Sequence, residues 1–215
     1  LFRSFTTSNF TTVDGKFTTR TNSLTVNGQN VDLSFVNFVN WGATSTVTIN
    51  GTSGANNLTG SSQNDIFNSG IGTDTLDGGA GDDLFIFSDI RDVFPGDVIN
   101  GGEGRDVIEA GHNSGNASWI AVQISNVEVL KFTGGNLNFV ILNGGQIGGA
   151  AGFQEFVGSA DLDDIIISGG NVDLSAVTFT NWAATDLLFI RGLEVDETLT
   201  GSVLNDDMNG GGGAD

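Results

Sequence analysis

The chain of 215 residues contains no cysteine, no tyrosine, one proline and one histidine. Without cysteine neither a disulfide framework nor a thiolate metal site can form, and a zinc site would have to be built around His112 alone. The metal ions that remain are those that bind through oxygen ligands. Because neither HExxH nor GxSxG occurs, the sequence also lacks the minimum parts of a zinc protease or an α/β-hydrolase.

Basic residues are scarce, with 7 Lys and Arg against 26 Asp and Glu, and the formal net charge is −19. Nucleic acids and anionic membrane surfaces are bound through Lys and Arg, so neither is expected as a direct partner. No apolar run approaches the ~18 residues that a membrane span requires, so membrane insertion is not expected. The partner that this charge favours is a cation.

Glycine is abundant, at 33 residues, without the Gly-X-Y period and proline content of collagen. The 16 phenylalanines and 38% hydrophobic residues are enough for a sizeable core. Short segments rich in Val, Ile, Phe and Thr alternate with Gly and Asn, and no long segment keeps a helical period. The sequence therefore predicts an all-β fold, with strands at 44–49, 127–132, 137–142, 153–157 and 187–190.

A nonapeptide repeat runs without a break from residue 51 to 86, as GTSGANNLT, GSSQNDIFN, SGIGTDTLD and GGAGDDLFI. The sixth position holds an acid or an amide, and the eighth is apolar. After a slip of five residues the pattern resumes in DVFPGDVIN and GGEGRDVIE, and an isolated copy, GSADLDDII, covers 158–166. A last block contains GLEVDETLT, GSVLNDDMN and GGGGAD.

A longer repeat is also present, because the pattern of 30–74 recurs at 171–215, with each residue number raised by 141. The predicted organisation is solenoid strands at 1–50, the block of nonapeptides at 51–109, a solenoid connector at 110–170 that includes the isolated repeat, and a truncated second copy of the 30–74 module at 171–215. We expect such a chain to be part of a tandem array.

The spacing of the nonapeptides predicts their geometry. The glycines of the first six residues permit a tight turn with φ > 0, and the last three residues form a short strand with its central side chain inward. Two nonapeptides then make one coil, and the coils stack as parallel strands about 4.8 Å apart. The slip is expected between Phe87 and Gly96. One edge of the stack is predicted to carry Asn56, Asp74 and Asp97, and the other Asp65, Asp83 and Asp106.

Carboxylates stacked about 4.8 Å apart repel one another unless a cation lies between them. Ca²⁺, with Ca–O distances of about 2.3–2.6 Å, fits such a gap, and backbone carbonyls of the turns can complete its shell of ~6–8 oxygens. The other hypothesis is that glycine and aspartate serve only as ordinary turn residues. The phased run of four repeats favours the cation.

Two turns, GGAGDD (78–83) and GGEGRD (101–106), resemble the GGxGxDxUx repeats of the RTX (repeats-in-toxin, haemolysin-type) family. The resemblance implies a parallel β-roll with Ca²⁺ between adjacent turns, bound by the acids at position six and by turn carbonyls. The acids that it implies as ligands are Asp65, Asp74, Asp83, Asp97, Asp106, Asp163, Asp206 and Asp215. The glycines that it implies in the sites are Gly70, Gly72, Gly78, Gly79, Gly81, Gly101, Gly102, Gly104, Gly211 and Gly213.

These features together predict a secreted, calcium-binding structural or adhesive repeat protein without enzymatic activity. It would fold and self-associate outside the cell on binding Ca²⁺, as part of a surface layer, an adhesin or a filament. The alternative is a calcium-binding secretion and folding domain of a larger RTX enzyme or toxin. The long repeat favours the structural hypothesis, because by resemblance enzyme carriers usually show one contiguous block of nonapeptides.

Overall fold

The computed structural model describes residues 12–15, 21–111, 117–134 and 138–214. Within these ranges the chain forms β-strands and two single 3₁₀ turns, at Ile90–Asp92 and Gly144–Gln146. The paired strands all run parallel, as in Ile66–Leu84 and Leu84–Val107. The prediction of an all-β parallel solenoid is confirmed. Over the same ranges no helix has the length and apolar character that a membrane span requires.

The strands are short, two to six residues each, because glycine and asparagine interrupt every apolar segment. In chain order they are β1 (Thr12–Asp14), β2 (Ser23–Asn27), β3 (Asn30–Asp32), β4 (Asn37–Val39), β5 (Thr46–Asn50), β6 (Asn57–Thr59), β7 (Asp65–Asn68), β8 (Thr75–Ala80), β9 (Leu84–Phe87), β10 (Val98–Glu103), β11 (Val107–Ala110), β12 (Ala117–Ser118), β13 (Gln123–Ser125), β14 (Val129–Phe132), β15 (Asn138–Leu142), β16 (Glu155–Val157), β17 (Asp163–Ser168), β18 (Val172–Asp173), β19 (Thr178–Thr180), β20 (Leu187–Arg191), β21 (Leu199–Thr200) and β22 (Asp206–Asn209).

Three sheets form the sides of the solenoid. The largest has eight strands in the order β19-β16-β14-β11-β9-β7-β5-β2, and two sheets of five have the orders β13-β10-β8-β6-β3 and β12-β15-β17-β20-β22. Two-stranded pairs, β1-β4 and β18-β21, complete the coils. Strands that are neighbours in a sheet are separated in sequence by one whole coil, which is the topology of a solenoid.

The register confirms the predicted coil of two nonapeptides. Asn57 pairs with Thr75 and Ile66 pairs with Leu84, so each strand lies beside the strand two nonapeptides further along the chain. The next coil is longer by the predicted slip, since Leu84 pairs with Val107. The added residues lie in the predicted connection after Phe87, which contains the first 3₁₀ turn.

The core is a column of apolar side chains from position eight of each repeat. Phe67, Phe85 and Ile108 come from the eight-stranded sheet, Leu76 and Ile99 come from the facing five-stranded sheet, and all are fully buried. The rings of Phe67 and Phe85 stack with centroids 4.8 Å apart, which is the spacing of neighbouring strands. Burial of this column is the main free-energy gain of each coil.

The strands of residues 30–74 recur in the second copy of the long repeat. Strands β3 to β7 correspond to β18 to β22 in order and position, and Asn40 (φ 55°) corresponds to Asn181 (φ 54°). The eight-stranded sheet nevertheless continues through all four segments predicted from the sequence. The limits of those segments stay a prediction.

Candidate metal centre

The acids at position six form hydrogen-bonded ladders along the two edges of the solenoid. On one edge the amide of Asp65 donates to Oδ1 of Asp83 at 2.8 Å, and the amide of Asp83 donates to Oδ1 of Asp106 at 2.8 Å. On the other edge Asn56 donates to Oδ1 of Asp74 at 2.9 Å, and Asp74 to Oδ1 of Asp97 at 2.8 Å. These six side chains are buried. The structure thus places them on the two edges that the spacing predicts.

The ladders change the electrostatic argument made from the sequence. In Asp74, Asp83, Asp97 and Asp106 the Oδ1 atom receives a main-chain N–H from the preceding coil, so one oxygen of each of these four carboxylates is stabilised without an ion. What a cation could add depends on the second oxygen, Oδ2. Apart from the turn that ends at Asp97, the turns fall into two classes by what that oxygen contacts.

In the first class, Oδ2 is buried and has no hydrogen-bond partner. This holds for Asp74, Asp83 and Asp106. They end the turns at 69–74, 78–83 and 101–106, which we call the glycine turns. An unpaired buried carboxylate oxygen is costly, and these three are the strongest indication of a missing positive charge.

In the second class, a side-chain oxygen of the residue at position six accepts the amide of the residue at position two. Ser61 donates its main-chain N–H to Oδ2 of Asp65 at 2.6 Å, and the Ser61 hydroxyl lies 3.1 Å from the same oxygen. We call these the capped turns, at 51–56, 60–65, 158–163, 192–197 and 201–206. The corresponding amide donors are Thr52, Ser159, Leu193 and Ser202, and the acceptors are Asn56, Asp163, Glu197 and Asp206.

The difference between the classes lies in the backbone at positions two and four. In the glycine turns both positions have positive φ, as at Gly79 (97°) and Gly81 (124°), so the amide at position two does not donate to the acid. An ideal Cβ on Gly81 would lie 2.6 Å from the carbonyl oxygen of Gln63, so a side chain does not fit there either. The same conformation occurs at Gly70, Gly72, Gly102, Gly104, Gly211 and Gly213.

In the turns at 78–83 and 101–106 the glycine at position one leaves open the space into which the unpartnered oxygen points, whereas the turn at 69–74 has Ser69 there. An ideal Cβ on Gly78 would collide with both Oδ2 of Asp83 and the carbonyl oxygen of Gly101 in the next coil. One carboxylate oxygen and one carbonyl oxygen therefore converge on a space that a side chain would fill. A donor set made only of oxygens suits a hard cation such as Ca²⁺.

The protonation behaviour of the acids agrees with this geometry. Burial raises the pKa of Asp83 to about 8, and the neighbouring carboxylates contribute to that rise. Burial also raises the pKa of Asp106 to about 6. Without a counter-charge these carboxyls hold their protons more tightly than free aspartate. A bound Ca²⁺ would favour the ionised form and supply the positive charge that the buried oxygens lack.

The remaining predicted residues are placed as follows. Asp97 is the last acid of the ladder that contains Asn56 and Asp74, and its Oδ2 accepts the amide of Phe94 at 2.7 Å. Asp163 and Asp206 lie in capped turns. Asp215 falls outside the residues that the structure describes. In the described ranges no three acidic or histidine side chains converge on one point, so main-chain carbonyls have to provide most of the ligands of any ion.

Two features of the site could not be predicted from the repeat. Arg105 lies inside a glycine turn, yet its guanidinium points outward and pairs with Glu155, two coils further on, while its amide donates to Asp82 at 2.9 Å. Glu128, which is not part of a nonapeptide, accepts the amide of Asp106 at 2.8 Å and so continues the ladder. The only signal in the sequence is that Glu128 follows Asp106 by nearly one coil length.

A parallel β-solenoid with buried acids beneath glycine turns defines a class of repeat proteins that bind metal ions along the edges of their coils. The family model described as the RTX calcium-binding nonapeptide repeat matches the chain in four copies, over residues 50–85 and 96–113. These two segments are RTX calcium-binding repeats, so the chain contains such repeats. The predictions of the repeat family and of Ca²⁺ as the bound ion are confirmed. No curated protein and no solved structure is similar to the chain at a significant level.

Proposed function

We propose that this chain is a secreted structural or adhesive protein that folds and assembles outside the cell when it binds Ca²⁺. The observation that carries the proposal is the set of three buried, unpartnered oxygens, Oδ2 of Asp74, Asp83 and Asp106. Each costs free energy in the metal-free fold, and a bound ion removes that cost. Calcium at the millimolar concentrations found outside cells would fill sites with dissociation constants of ~10⁻⁴–10⁻³ M.

The charge of the chain supports secretion in an unfolded form. With a net charge of −19, the calcium-free chain repels itself, and the low calcium of a cytosol would leave its edge sites unfilled. The absence of cysteine means that no disulfide has to form after export. RTX repeat proteins are typically secreted, which agrees with this proposal.

Exposed apolar side chains on the coil at 192–209 support association with a neighbouring module. Val203 is 81% exposed, Val195 57% and Met208 43%. Met208 corresponds, in the long repeat, to Phe67, which is fully buried beneath Phe85 of the following coil. A further coil stacked on this face, from another module of the same kind, would bury Met208 in the same way. We therefore propose a neighbouring module as the partner, and no enzymatic activity for this part of the chain.

One observation favours the second candidate, a calcium-binding secretion and folding domain of a larger enzyme or toxin. The two matched segments are close together, within residues 50–113, as in a single block of nonapeptides. The recurrence of β3 to β7 as β18 to β22 supports the structural hypothesis instead. Both candidate functions predict that the chain folds on binding Ca²⁺. Only the structural or adhesive function predicts that it then assembles.

Titration of the metal-stripped chain with Ca²⁺, followed by circular dichroism and light scattering, tests both. We expect the β-sheet signal to rise between ~0.1 and 1 mM Ca²⁺, with particle size growing over the same range. Mg²⁺ at the same concentrations should have a much smaller effect, because its octahedral preference suits these turns poorly. A β-sheet signal unaffected by Ca²⁺ would refute calcium-dependent folding. Monomers at every Ca²⁺ concentration would refute assembly and favour the second candidate.

A further inference from the structure

The edge that carries Asp83 and Asp106 continues beyond the last nonapeptide. Asp106 is the last acid at position six on this edge, and the next coil passes it at residues 126–129, outside the matched segments. Even so, Oδ2 of Asp106 is fully buried and has no hydrogen-bond partner. If only nonapeptides provided calcium ligands, the coil next to this oxygen would contain no ligand for an ion bound there.

The next coil is stacked on Asp106 in the same way as one nonapeptide on another. Glu128 accepts the amide of Asp106 through Oε2 at 2.8 Å, which reproduces the 2.8 Å bond from the amide of Asp83 to Asp106 itself. The amides of Glu128 and Val129 both donate to the carbonyl oxygen of Asp106, at 3.2 and 3.1 Å. Glu128 thus occupies the ladder position of an acid at position six.

Asn126 supplies the second feature of a glycine turn. It has φ 52°, in the left-handed region that asparagine tolerates better than most residues other than glycine. An ideal Cβ on Gly101 would collide with the carbonyl oxygen of Asn126 and with Oδ2 of Asp106. The carbonyl of Asn126 therefore has the same position relative to Oδ2 of Asp106 as the carbonyl of Gly101 has relative to Oδ2 of Asp83.

The basic side chains nearby are engaged with other acids. Lys131 pairs with Glu109 at 2.6 Å, and Arg105 pairs with Glu155. Neither forms an ion pair with Asp106 or Glu128 among the residues that the structure describes. Two carboxylates thus adjoin each other beside a buried, unpartnered oxygen, and no protein cation within the described ranges balances them.

We propose that Asp106, Glu128 and the main-chain carbonyl of Asn126 form a further calcium site. It is the last site on this edge and lies where the nonapeptides end. The site rests on the proposed function, because it uses the same ion. It joins the RTX segment to the ordinary solenoid, since its ligands come from both. Its distinguishing ligand is Glu128, which the nonapeptide pattern does not include.

Calcium stoichiometry and affinity, measured on the whole chain by isothermal titration calorimetry and native mass spectrometry, test this site. Glu128→Gln keeps an oxygen acceptor for the amide of Asp106 and removes the charge. We expect this variant to bind one Ca²⁺ fewer, or to bind one at least about tenfold more weakly, with the other sites unchanged. Asp77→Asn is the matched control and should keep the full count, because it removes one charge outside the acid ladders, where Asp77 accepts a hydrogen bond from Asn100 and joins no ion pair among the described residues.

Two further variants separate the loss of a calcium ligand from a loss of the folded structure. Asn126→Gly retains the positive φ and the carbonyl, so it should keep the site, and Glu128→Asp should keep the ion at reduced affinity. A wild-type chain that binds no Ca²⁺ would refute the proposed function together with this site. Wild-type stoichiometry and affinities in a folded Glu128→Gln variant would refute this site alone, as would equal losses in Glu128→Gln and Asp77→Asn.

Discussion

A single residue at position two decides what an otherwise identical acid can bind. Asp65 and Asp83 lie in successive coils, on the same edge and in the same ladder. Ser61 directs its amide and hydroxyl at Asp65, whereas Gly79, with positive φ, leaves Oδ2 of Asp83 without a partner. The number of calcium ions should therefore follow the number of glycine turns and not the number of acids.

Neutralising these two acids should have different consequences. Asp83→Asn keeps an acceptor for the amide of Asp65 but loses a charged ligand, so we expect at least an approximately tenfold loss of calcium affinity at one site. Asp65→Asn should leave calcium stoichiometry and affinity unchanged, because its oxygens are already engaged by Ser61. Isothermal titration calorimetry on both variants checks this. Equal losses in the two variants would contradict the division into two classes of turn.

A capped turn should become a calcium site when its backbone is freed. Ser61→Gly combined with Gln63→Gly puts glycine at positions two and four of the turn at 60–65, as in the turn at 78–83. The expected result is one additional Ca²⁺ per chain, measured by equilibrium dialysis. Ser61→Ala is the control: it removes the hydroxyl but retains the amide that caps Asp65, so it should add no ion. A gain of an ion by Ser61→Ala would show that the hydroxyl and not the backbone excludes calcium.

At the scale of the turn and the coil, the sequence predicts what is periodic. The coil of two nonapeptides, the parallel register and the buried column that includes Phe67 follow from the repeat and from the alternation of side chains along a strand. The capping by Ser61 depends on main-chain dihedral angles, which the letters Gly-Ser do not specify. The roles of Glu128 and Arg105 depend on contacts with other coils, outside the repeat.

The turns also differ in how much space they leave at position four. Gly54, in the capped turn at 51–56, has no atom within 4 Å of an ideal Cβ, whereas Gly81, in a glycine turn, has φ 124° and a carbonyl oxygen at 2.6 Å. Gly81→Ala should therefore destabilise the calcium-loaded fold by ~1–3 kcal/mol, and Gly54→Ala should change it by less than ~0.5 kcal/mol. Chemical denaturation at saturating Ca²⁺ compares them, and equal costs would mean that the two turns share one conformation.

At the scale of the whole molecule, the buried carboxyls act together on the pH dependence of folding. Burial raises the pKa of Asp65 to about 7, of Asp97 to about 6 and of Asp83 to about 8, from an ordinary value of 3.8. The metal-free folded chain thus binds protons more tightly than the unfolded chain. The stabilisation from these protons is complete below the ordinary pKa and is lost as the pH rises through about 6 to 8.

Metal-free and calcium-loaded chains should therefore respond to pH in opposite directions. Stripped of metal, the chain should keep more of its β-sheet signal at pH 5.5 than at pH 8.5, because Asp65, Asp83 and Asp97 are protonated in the fold at the lower pH. With saturating Ca²⁺ the added stabilisation should grow from pH 5.5 to 8.5, because the ion competes with the proton for the carboxylates of Asp83 and Asp106, whose pKa values are raised by burial. Thermal melts followed by circular dichroism at both pH values measure this. A metal-free chain that is more stable at pH 8.5 would contradict the raised pKa values, and a calcium effect independent of pH would mean that the ion does not bind Asp83 and Asp106.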